Sequence, residues 1–345
     1  MNDKQPTRYD RQARFAPLGE AGQQRLAQSR ALVCGCGALG SVIAETLTRA
    51  GVGFLRVVDR DFLELNNLQR QVLYDESDVA EGLPKAIAAA NKLRRINSEI
   101  TIEPVVADVT HHNIESLAGD VHVIVDGTDN FATRFLVNDF AVKHRIPWIY
   151  GGCIGAEGQS MTILPGETPC LTCFMAEAPP PGTTPTCDTA GVLAPIVNVI
   201  ASIEACEALK ILSGHREATS RKLAIVDLWD NQVRHVDLSR LRDRGECRVC
   251  KLGQFEWLSG QRADATASLC GRNAVQLSPP PGTSLSLDEL AARLRGVGQV
   301  QRNAFLLRLS VDGYVLTVFP DGRTIVGGTN DIATARTVHA RYIGA

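Results

Sequence analysis

Apolar positions along the chain fall into short continuous runs that alternate with stretches of helical spacing. ALVCG (31–35) and FLRVVD (54–59) read as strands, with residues 40–50 as the helix between them. LPKAIAAANKLRRI (83–96) has helical periodicity, and ITIEPVVAD after it returns to strand. VHVIVDGT (121–128) is a buried-type strand, RFLVNDFAVKHR a helix and IPWIYGGC another strand. Strands separated by helices predict an α/β fold, a Rossmann-like, doubly wound, mostly parallel sheet. QSMTILPG (159–166) and KLAIVDLW (222–229) read as later strands of antiparallel character. NVIASIEACEALKIL (198–212) reads as a largely buried helix.

Two stretches interrupt this rhythm. AEAPPPGTTPTCDT (176–189) is dense in Pro, Gly and Thr and reads as a long crossover loop without regular structure. A second weak segment spans 258–271. Beyond it come the strand AVQLS, a helix at SLDELAARLR, the strands AFLLRLSV, YVLTVFP and RTIVGG, and a helix near 331–342. The expected organisation is one domain over 1–257, with an N-terminal arm at 1–30, a linker at 258–271 and a small α+β domain over 272–345. That last piece is close to the lower size limit for independent folding.

Composition narrows the classes. Hydrophobic residues make up 44% of the 345 and charged residues 21%, as in ordinary soluble globular chains. A net charge of −2 gives no global pull toward nucleic acid or acidic membranes. The polar start, MNDKQPTRYDRQARF, lacks the pattern of a signal peptide. The most apolar stretch, Val192 to Ala205, is broken by Pro195, Asn198 and Glu204 and is too short to span a bilayer. A cytoplasmic protein with neither a nucleic-acid nor a membrane partner is expected.

The first chemistry lies at GCGALGS (35–41), a G-x-G-x-x-G that leaves a strand and opens a helix. Gly35 and Gly37 permit a tight turn and close backbone approach, and Gly40 lets helix pack on strand. Asp59 ends the next strand, where a carboxylate accepts ribose hydroxyls. Either a dinucleotide or ATP fits so far; a plain strand–helix turn is the simplest alternative. The segment after Asp59 is dense in amide and guanidinium groups, including Asn67 and Arg70, and Lys85 follows Pro84 at a helix start. A triphosphate needs several fixed cations, whereas a nicotinamide ring needs an apolar face. Each polar residue also has a bland reading, Asn66–Arg70 as a polar loop and Lys85 as a solvated helix residue. Asp126 and Asp129 stand at the C-terminal end of a predicted parallel strand, where such sheets place ligands. A carboxylate there suits Mg²⁺; the competing role for Asp129 is N-cap of the next helix.

Ten cysteines in such a chain are not read as a disulfide framework. Cys170 and Cys173, with Cys247 and Cys250, form two C-x-x-C pairs that together supply four thiolates to one tetrahedral Zn²⁺, a closed and therefore structural site. A redox pair or an iron–sulfur cluster is the alternative. Cys34, Cys36, Cys153 and Cys206 read as small buried residues. Cys270 stands before a strand, without the ring of donors of a rhodanese-type loop.

RYDRQ (8–12), GCGALGS (35–41), VVDRD (57–61), NNLQRQ (66–71), LPKA (83–86), DGTDN (126–130), both C-x-x-C pairs and TCDTAGVLAP (186–195) occur jointly and in this order. Over residues 8 to 255 the chain thereby resembles the ThiF/MoeB/HesA family of ubiquitin-activating-like adenylyltransferases. The resemblance implies MgATP-dependent adenylylation of the C-terminal carboxylate of a small ubiquitin-like sulfur carrier ending in Gly-Gly. It assigns Asp59 to the ribose, Asn67, Arg70 and Lys85 to the phosphates, and Asp129 to Mg²⁺. Arg11 would reach into the ATP site of a second copy, implying a homodimer. Cys187 would carry sulfur-transfer chemistry through a thioester or acyl disulfide, with an inert loop cysteine as the alternative. A sulfurtransferase or cysteine desulfurase is the implied sulfur source. Two positions depart from the family pattern, Gly127 where many members carry Cys and Leu83 where Gln is frequent. A tRNA threonylcarbamoyladenosine dehydratase on the same fold and an NAD(P)-dependent oxidoreductase are the alternative functions. The first generally lacks the cysteine quartet; the second leaves Asn67, Arg70 and Lys85 unused. The extra C-terminal domain reads as a docking or dimer-supporting module.

Overall fold

The apolar runs of the first half assemble into one sheet. A computed structural model describes residues 8–179, 187–243, 245–262, 266–269, 273–280 and 282–344. It forms two compact units, Met1–Pro179 with Val192–Gln261 and Pro180–Gly191 with Arg262–Ala345.

In the first unit, two helices, α1 (Asp10–Ala13) and α2 (Gly19–Ala27), occupy the segment that the pattern left as an arm. Then follow β1 (Arg30–Cys34), α3 (Ala38–Ala50), β2 (Phe54–Val58), α4 (Glu76–Ala80), α5 (Lys85–Ile96), β3 (Thr101–Val105), α6 (Ile114–Ala118), β4 (Val123–Asp126), α7 (Phe131–His144), β5 (Trp148–Ile154) and β6 (Glu157–Ile163). After α8 (Leu171–Phe174) the chain passes through α9 (Cys187–Ala190), which belongs to the second unit, and the first unit resumes with α10 (Ala194–Leu212), β7 (Leu223–Asp227), β8 (Gln232–Val236) and α11 (Ser239–Asp243).

The sheet order is β3-β2-β1-β4-β5-β6-β7-β8. The five strands from β3 to β5 are parallel, and β6, β7 and β8 extend the sheet antiparallel. The chain runs outward from β1 through β2 to β3 and then crosses to β4, so strand order reverses between β1 and β4. The crevice outside the carboxyl ends of those two strands is where open α/β sheets bind ligands.

Both faces of the sheet are covered. Val33, Val57, Val125 and Ile149 pack on one side with Ile43, Leu47, Leu93, Ile196 and Ile200, while Leu32, Ile124, Trp148 and Tyr150 pack on the other with Phe135, Phe140 and Leu171. Burial on both faces is why β1 and β4 read as unbroken apolar runs. Helix α10 packs against α3 and against β4, β5 and β6. It starts before the predicted Asn198 because Pro195 sits in its first turn, where a missing N–H costs nothing.

The second unit holds a six-stranded antiparallel sheet in the order β11-β12-β13-β14-β10-β9. Its strands are β9 (Thr266–Leu269), β10 (Ala274–Leu277), β11 (Gln299–Arg302), β12 (Leu307–Val311), β13 (Tyr314–Val318) and β14 (Thr324–Gly327), with helices α12 (Leu287–Arg293) and α13 (Ile332–Tyr342). Val275, Leu290, Leu307, Leu309, Leu316, Val326 and Val338 form its core.

Three expectations differ from what is found. The stretch read as an irregular loop over 176–189 contains the start of α9 at Cys187. Strand β9 lies inside the segment 258–271, where its pattern was too short to register. Cys206 is exposed rather than buried, because it falls on the solvent side of α10, and Cys153 is half-buried, whereas Cys34 and Cys36 are buried as expected. Cys270 lies outside the described residues, as does the side chain of Cys187.

Candidate functional site

The glycine loop is shaped by backbone contact. Gly35 has φ +86°, and a Cβ on Gly40 would stand 1.9 Å from the Gly35 carbonyl oxygen, so neither position accepts a side chain. Gly127, leaving β4, packs into the same contact, its Cβ position lying 2.3 Å from that oxygen. Gly37 is different: a Cβ there would meet only Gln71 Nε2, at 3.8 Å. The fold therefore does not require glycine at 37. Gly37 is the N-cap of α3 and supplies no side-chain cap, so the first N–H groups of a 13-residue helix are left without one. That is the local chemistry of an anion site.

Asp59 and Tyr74 hold this loop at Cys36, and Asp61 and Lys85 bond to them. Asp59 Oδ2 accepts the Cys36 N–H at 2.7 Å and Oδ1 accepts the Asp61 N–H at 2.7 Å. Burial raises the Asp59 carboxyl above the usual carboxylate range, against the opposing charge of Lys85. Tyr74 Oη lies 2.7 Å from the Cys36 carbonyl oxygen and 3.2 Å from that of Lys85. Lys85 is 3% exposed, with its Nζ 3.3 Å from Asp61 Oδ2 and its N–H donated to the Asp61 carbonyl. It is thus a buried, fixed cation rather than the solvated helix residue that was its bland reading.

Asn67 is also buried, with its Oδ1 accepting the Glu64 N–H at 3.2 Å and its Nδ2 donating to Asn66 Oδ1 at 2.8 Å. The first contact belongs to a capping box at the start of the 3-10 turn Leu65–Asn67. Arg70, three residues on, hooks Nη1 onto the Asn66 carbonyl at 3.0 Å.

At the end of β4 the two aspartates part company. Asp126 is buried; its Oδ2 accepts Arg134 Nε–H at 3.0 Å, and its Oδ1 accepts the Thr128 N–H and hydroxyl. Arg134 also donates to the carbonyls of Thr128 and Gly151. Burial disfavours the Arg134 charge, but its neighbours together, Asp126 foremost with Asp129 adding to it, more than offset this and hold the guanidinium charged. Asp129 is exposed, with no hydrogen bond or ion pair among the described residues. The cap of α7 is Asn130, whose Oδ1 accepts the Thr133 N–H at 2.8 Å, so Asp129 is not that helix's N-cap.

Arg60, at the end of β2, was not singled out from sequence. It lies 3.1 Å from Asp108 Oδ2 and 4.0 Å from Asp61 Oδ1, and Asp129 adds to the field that keeps it charged. Tyr74 and Arg134 were likewise missed; Tyr74 is the one aromatic that follows the polar run 66–71 closely, and that was its only signal. Glu204 on α10 is fully buried, and neither carboxylate oxygen has a hydrogen-bond partner among the described residues. Burial, with the nearby Asp126 carboxylate, pushes its pKa well up, against the opposing charge of Arg134.

Arg11 stands apart from these groups. It is exposed on α1, an element held at the C-terminal end of α3. The glycine loop is at the other end of that helix, about 20 Å away at 1.5 Å per residue.

The four C-x-x-C sulfurs converge on the far side of the sheet. Cys170 lies 3.8 Å from Cys173 and 3.6 Å from Cys247, and Cys173 lies 3.5 Å from Cys250, Sγ to Sγ. All four fall within 4.8 Å of one another. A tetrahedral ion with 2.3 Å bonds to sulfur separates its ligands by about 3.8 Å, so the quartet fits one metal with no position left open. Asn138, buried in α7, orients the first knuckle by accepting the Leu171 N–H at 2.8 Å. Asp139 beside it accepts the N–H groups of Trp257 and Leu258, tying down the segment after the second knuckle.

Comparison with known proteins fits this arrangement. Residues 9–249 match the model of the ThiF family. The sulfur carrier protein ThiS adenylyltransferase of Bacillus subtilis (strain 168) is 44% identical over 338 residues, 98% of this chain and 99% of its own length. The SAMP-activating enzyme E1 of Haloferax volcanii is 40% identical over 73% of this chain and 92% of its own. Among solved structures, E. coli MccB with ATP superposes with a TM-score of 0.61 at 22% identity, covering 71% of this chain and 75% of that one, a likeness of fold. The chain belongs to the ThiF family.

Proposed function

We propose that the protein adenylylates the C-terminal carboxylate of a ubiquitin-like sulfur-carrier protein ending in Gly-Gly, with ATP as the nucleotide. The observation that carries this reading is the N-terminus of α3 at Gly37, which has no side-chain cap and follows a loop that Tyr74 bridges to the buried cation Lys85. In this reading the ATP phosphates meet the α3 N–H groups, Lys85, Arg70 and the amide of Asn67, and the ribose meets the remaining lone pairs of Asp59. Arg60 adds a further cation at the same strand ends.

The carrier carboxylate is ionised at neutral pH, so no general base is needed. Its oxygen attacks the α-phosphorus, the bond to the β-phosphate bridging oxygen breaks, and pyrophosphate leaves with the electron pair. Two anions must meet for this, so the work of the protein is positioning and charge neutralisation. Asp129, exposed and uncommitted, is the group suited to hold Mg²⁺, which supplies further neutralisation when bound. The cysteine quartet is suited to Zn²⁺ in a structural role, with all four positions filled by sulfur. Cys187 is the candidate thiol for the next step, in which a thiolate attacks the acyl carbon, AMP leaves and a thioester forms. A sulfurtransferase or cysteine desulfurase would then supply the sulfur.

Arg11 is too far from the glycine loop of its own chain to serve it, which supports a homodimer in which Arg11 serves the site of a second copy. The Bacillus subtilis relative aligns with the C-terminal unit as well, whereas the Haloferax volcanii relative covers only 73% of this chain. This favours a ThiS-type carrier, and the second unit is read as a docking or dimer-supporting module. Among the described residues no helix is long and apolar enough to cross a membrane, and the eight cysteines described there are free, which suits a cytoplasmic setting.

The test is ATP–pyrophosphate exchange with and without ThiS-type carriers. Carrier-dependent exchange supports the reading. Nicotinamide binding without exchange would replace it with an oxidoreductase.

A further inference from the structure

Helix α1 has four residues, too few to be stable alone, so the direction of Arg11 is set by contacts beyond the helix. Those contacts are dense. Arg8 Nη1 donates to the Ile96 carbonyl at 2.9 Å and its Nε lies 3.6 Å from Glu99. The Tyr9 ring lies against Gly51, where a Cβ would come within 2.6 Å of Cε1 and Cζ. Tyr9 Oη accepts from Asn97 Nδ2 at 2.8 Å. Asn97 is fully buried; its other Nδ2 hydrogen goes to the Thr48 carbonyl, and its Oδ1 accepts the Glu99 N–H. Gln12 Nε2 donates to the Ala50 carbonyl at 2.9 Å and to Gln23 Oε1 at 2.7 Å, and Gln23 donates to the same carbonyl at 3.0 Å.

Residues 8, 9 and 12 thus share one face, clamped to the C-terminal ends of α3 and α5. Arg11 is exposed, with no hydrogen bond or ion pair among the described residues. An arm that only needed to be packed away could leave its cation anywhere. Here Arg8, Tyr9 and Gln12 are fixed and the cation is presented outward.

We infer that Tyr9, Gln12 and Asn97 are positioning residues that aim Arg11 into the ATP site of a second copy. This rests on the homodimeric adenylyltransferase reading above. The clamp removes in advance the freedom that a long side chain on a loose arm would lose on reaching a phosphate. The element that carries the glycine loop of one copy, α3, thereby holds at its other end the cation offered to the next.

The test is complementation between subunits. Tyr9→Ala/Gln12→Ala alters two half-buried residues of the arm and leaves the chain's own loop, Lys85 and Arg70 intact. Its homodimer is expected to lose about 10²-fold in carrier-dependent exchange, with Tyr9→Phe, which keeps the ring on Gly51, losing a few-fold. Heterodimers with Arg70→Ala, purified through two different tags, pair one intact site with one intact arm. Recovery to near half of the wild-type rate supports the inference, because damage to a subunit's own fold would not be repaired by its neighbour. Arg11→Ala paired with Arg70→Ala is the control. Rescue of that pair without rescue of the Tyr9→Ala/Gln12→Ala pair overturns the positioning role and leaves the trans role of Arg11 standing. Failure of both pairs overturns the trans role and the inference with it.

Discussion

Asp126 Oδ2 accepts the Nε–H of Arg134 at 3.0 Å, and this pair closes the end of β4 beneath the crevice. Asp129, three residues on, faces outward without a partner among the described residues. The two carboxylates therefore fail differently when removed. Asp126→Ala leaves a buried guanidinium uncompensated and is expected to cost about 3–5 kcal/mol of stability. Asp129→Ala is expected to shift stability by no more than about 0.5 kcal/mol while abolishing Mg²⁺-dependent exchange. Urea unfolding beside ATP–pyrophosphate exchange separates them, and equal destabilisation by both would refute the division of labour.

Lys85 and the glycine loop are joined through Tyr74, whose hydroxyl lies against the carbonyls of Cys36 and Lys85. Lys85→Met keeps the length of the side chain and removes its charge. Exchange is expected to fall by about 10²–10³-fold, the usual effect of losing one fixed group that stabilises transition-state charge. Tyr74→Phe removes only the bridge; stability is expected to fall by about 1 kcal/mol and exchange by roughly tenfold through misplacement of the loop. An unchanged rate in Tyr74→Phe would show that the bridge does not tune the loop.

The parallel half of the sheet was legible because β1, β2 and β4 are buried and mostly apolar, the buried Arg56 and Asp126 being charges held by ion pairs. Strand β8 was not, since all five of its residues are exposed and only its pairing with β7 makes it a strand. Strand β11, QVQR, escaped for the same reason. Among site residues, the sequence placed Lys85 at a helix start but was silent on its burial, which depends on Asp61 and Tyr74 folding over it. Asp126 and Asp129 looked equivalent until the helix after them brought Arg134 back to one and Asn130 took the capping role from the other. Arg60 and Arg134 carry no local signal. Each becomes significant only through a carboxylate that the topology brings near, Asp108 for Arg60 and Asp126 for Arg134.

The cysteine quartet predicts one tetrahedral metal ion per chain, released as thiols are modified. Cys250→Ser is expected to lower metal content below one equivalent and to make the 247–261 segment sensitive to protease. At about 2–4 °C per kcal/mol for a domain of this size, loss of a closed metal site is expected to lower Tm by more than about 6 °C. Exchange per folded molecule at low temperature is expected to persist, because no position at the metal is open to substrate. A metal-free chain with unchanged Tm would remove the structural role.

Asp139 supplies a pH dependence of opposite sign to that of an exposed ion pair. Burial raises its carboxyl to about 6, against the two N–H groups of Trp257 and Leu258 that favour the charged form, and Oδ1 has no hydrogen-bond partner among the described residues. The unfolded chain releases this proton near pH 4. Between those values the folded state holds more protons, so the contribution to stability is full below about pH 4 and is lost as pH rises through 6. Asp139→Asn keeps an oxygen to accept both N–H groups and removes the buried charge. The variant is expected to match the parent near pH 4.5 and to exceed it by about 1–3 kcal/mol at pH 8. Urea unfolding at the two pH values reads this difference. A variant less stable than the parent at pH 8 would mean that the carboxylate is charged and welcome in the folded state.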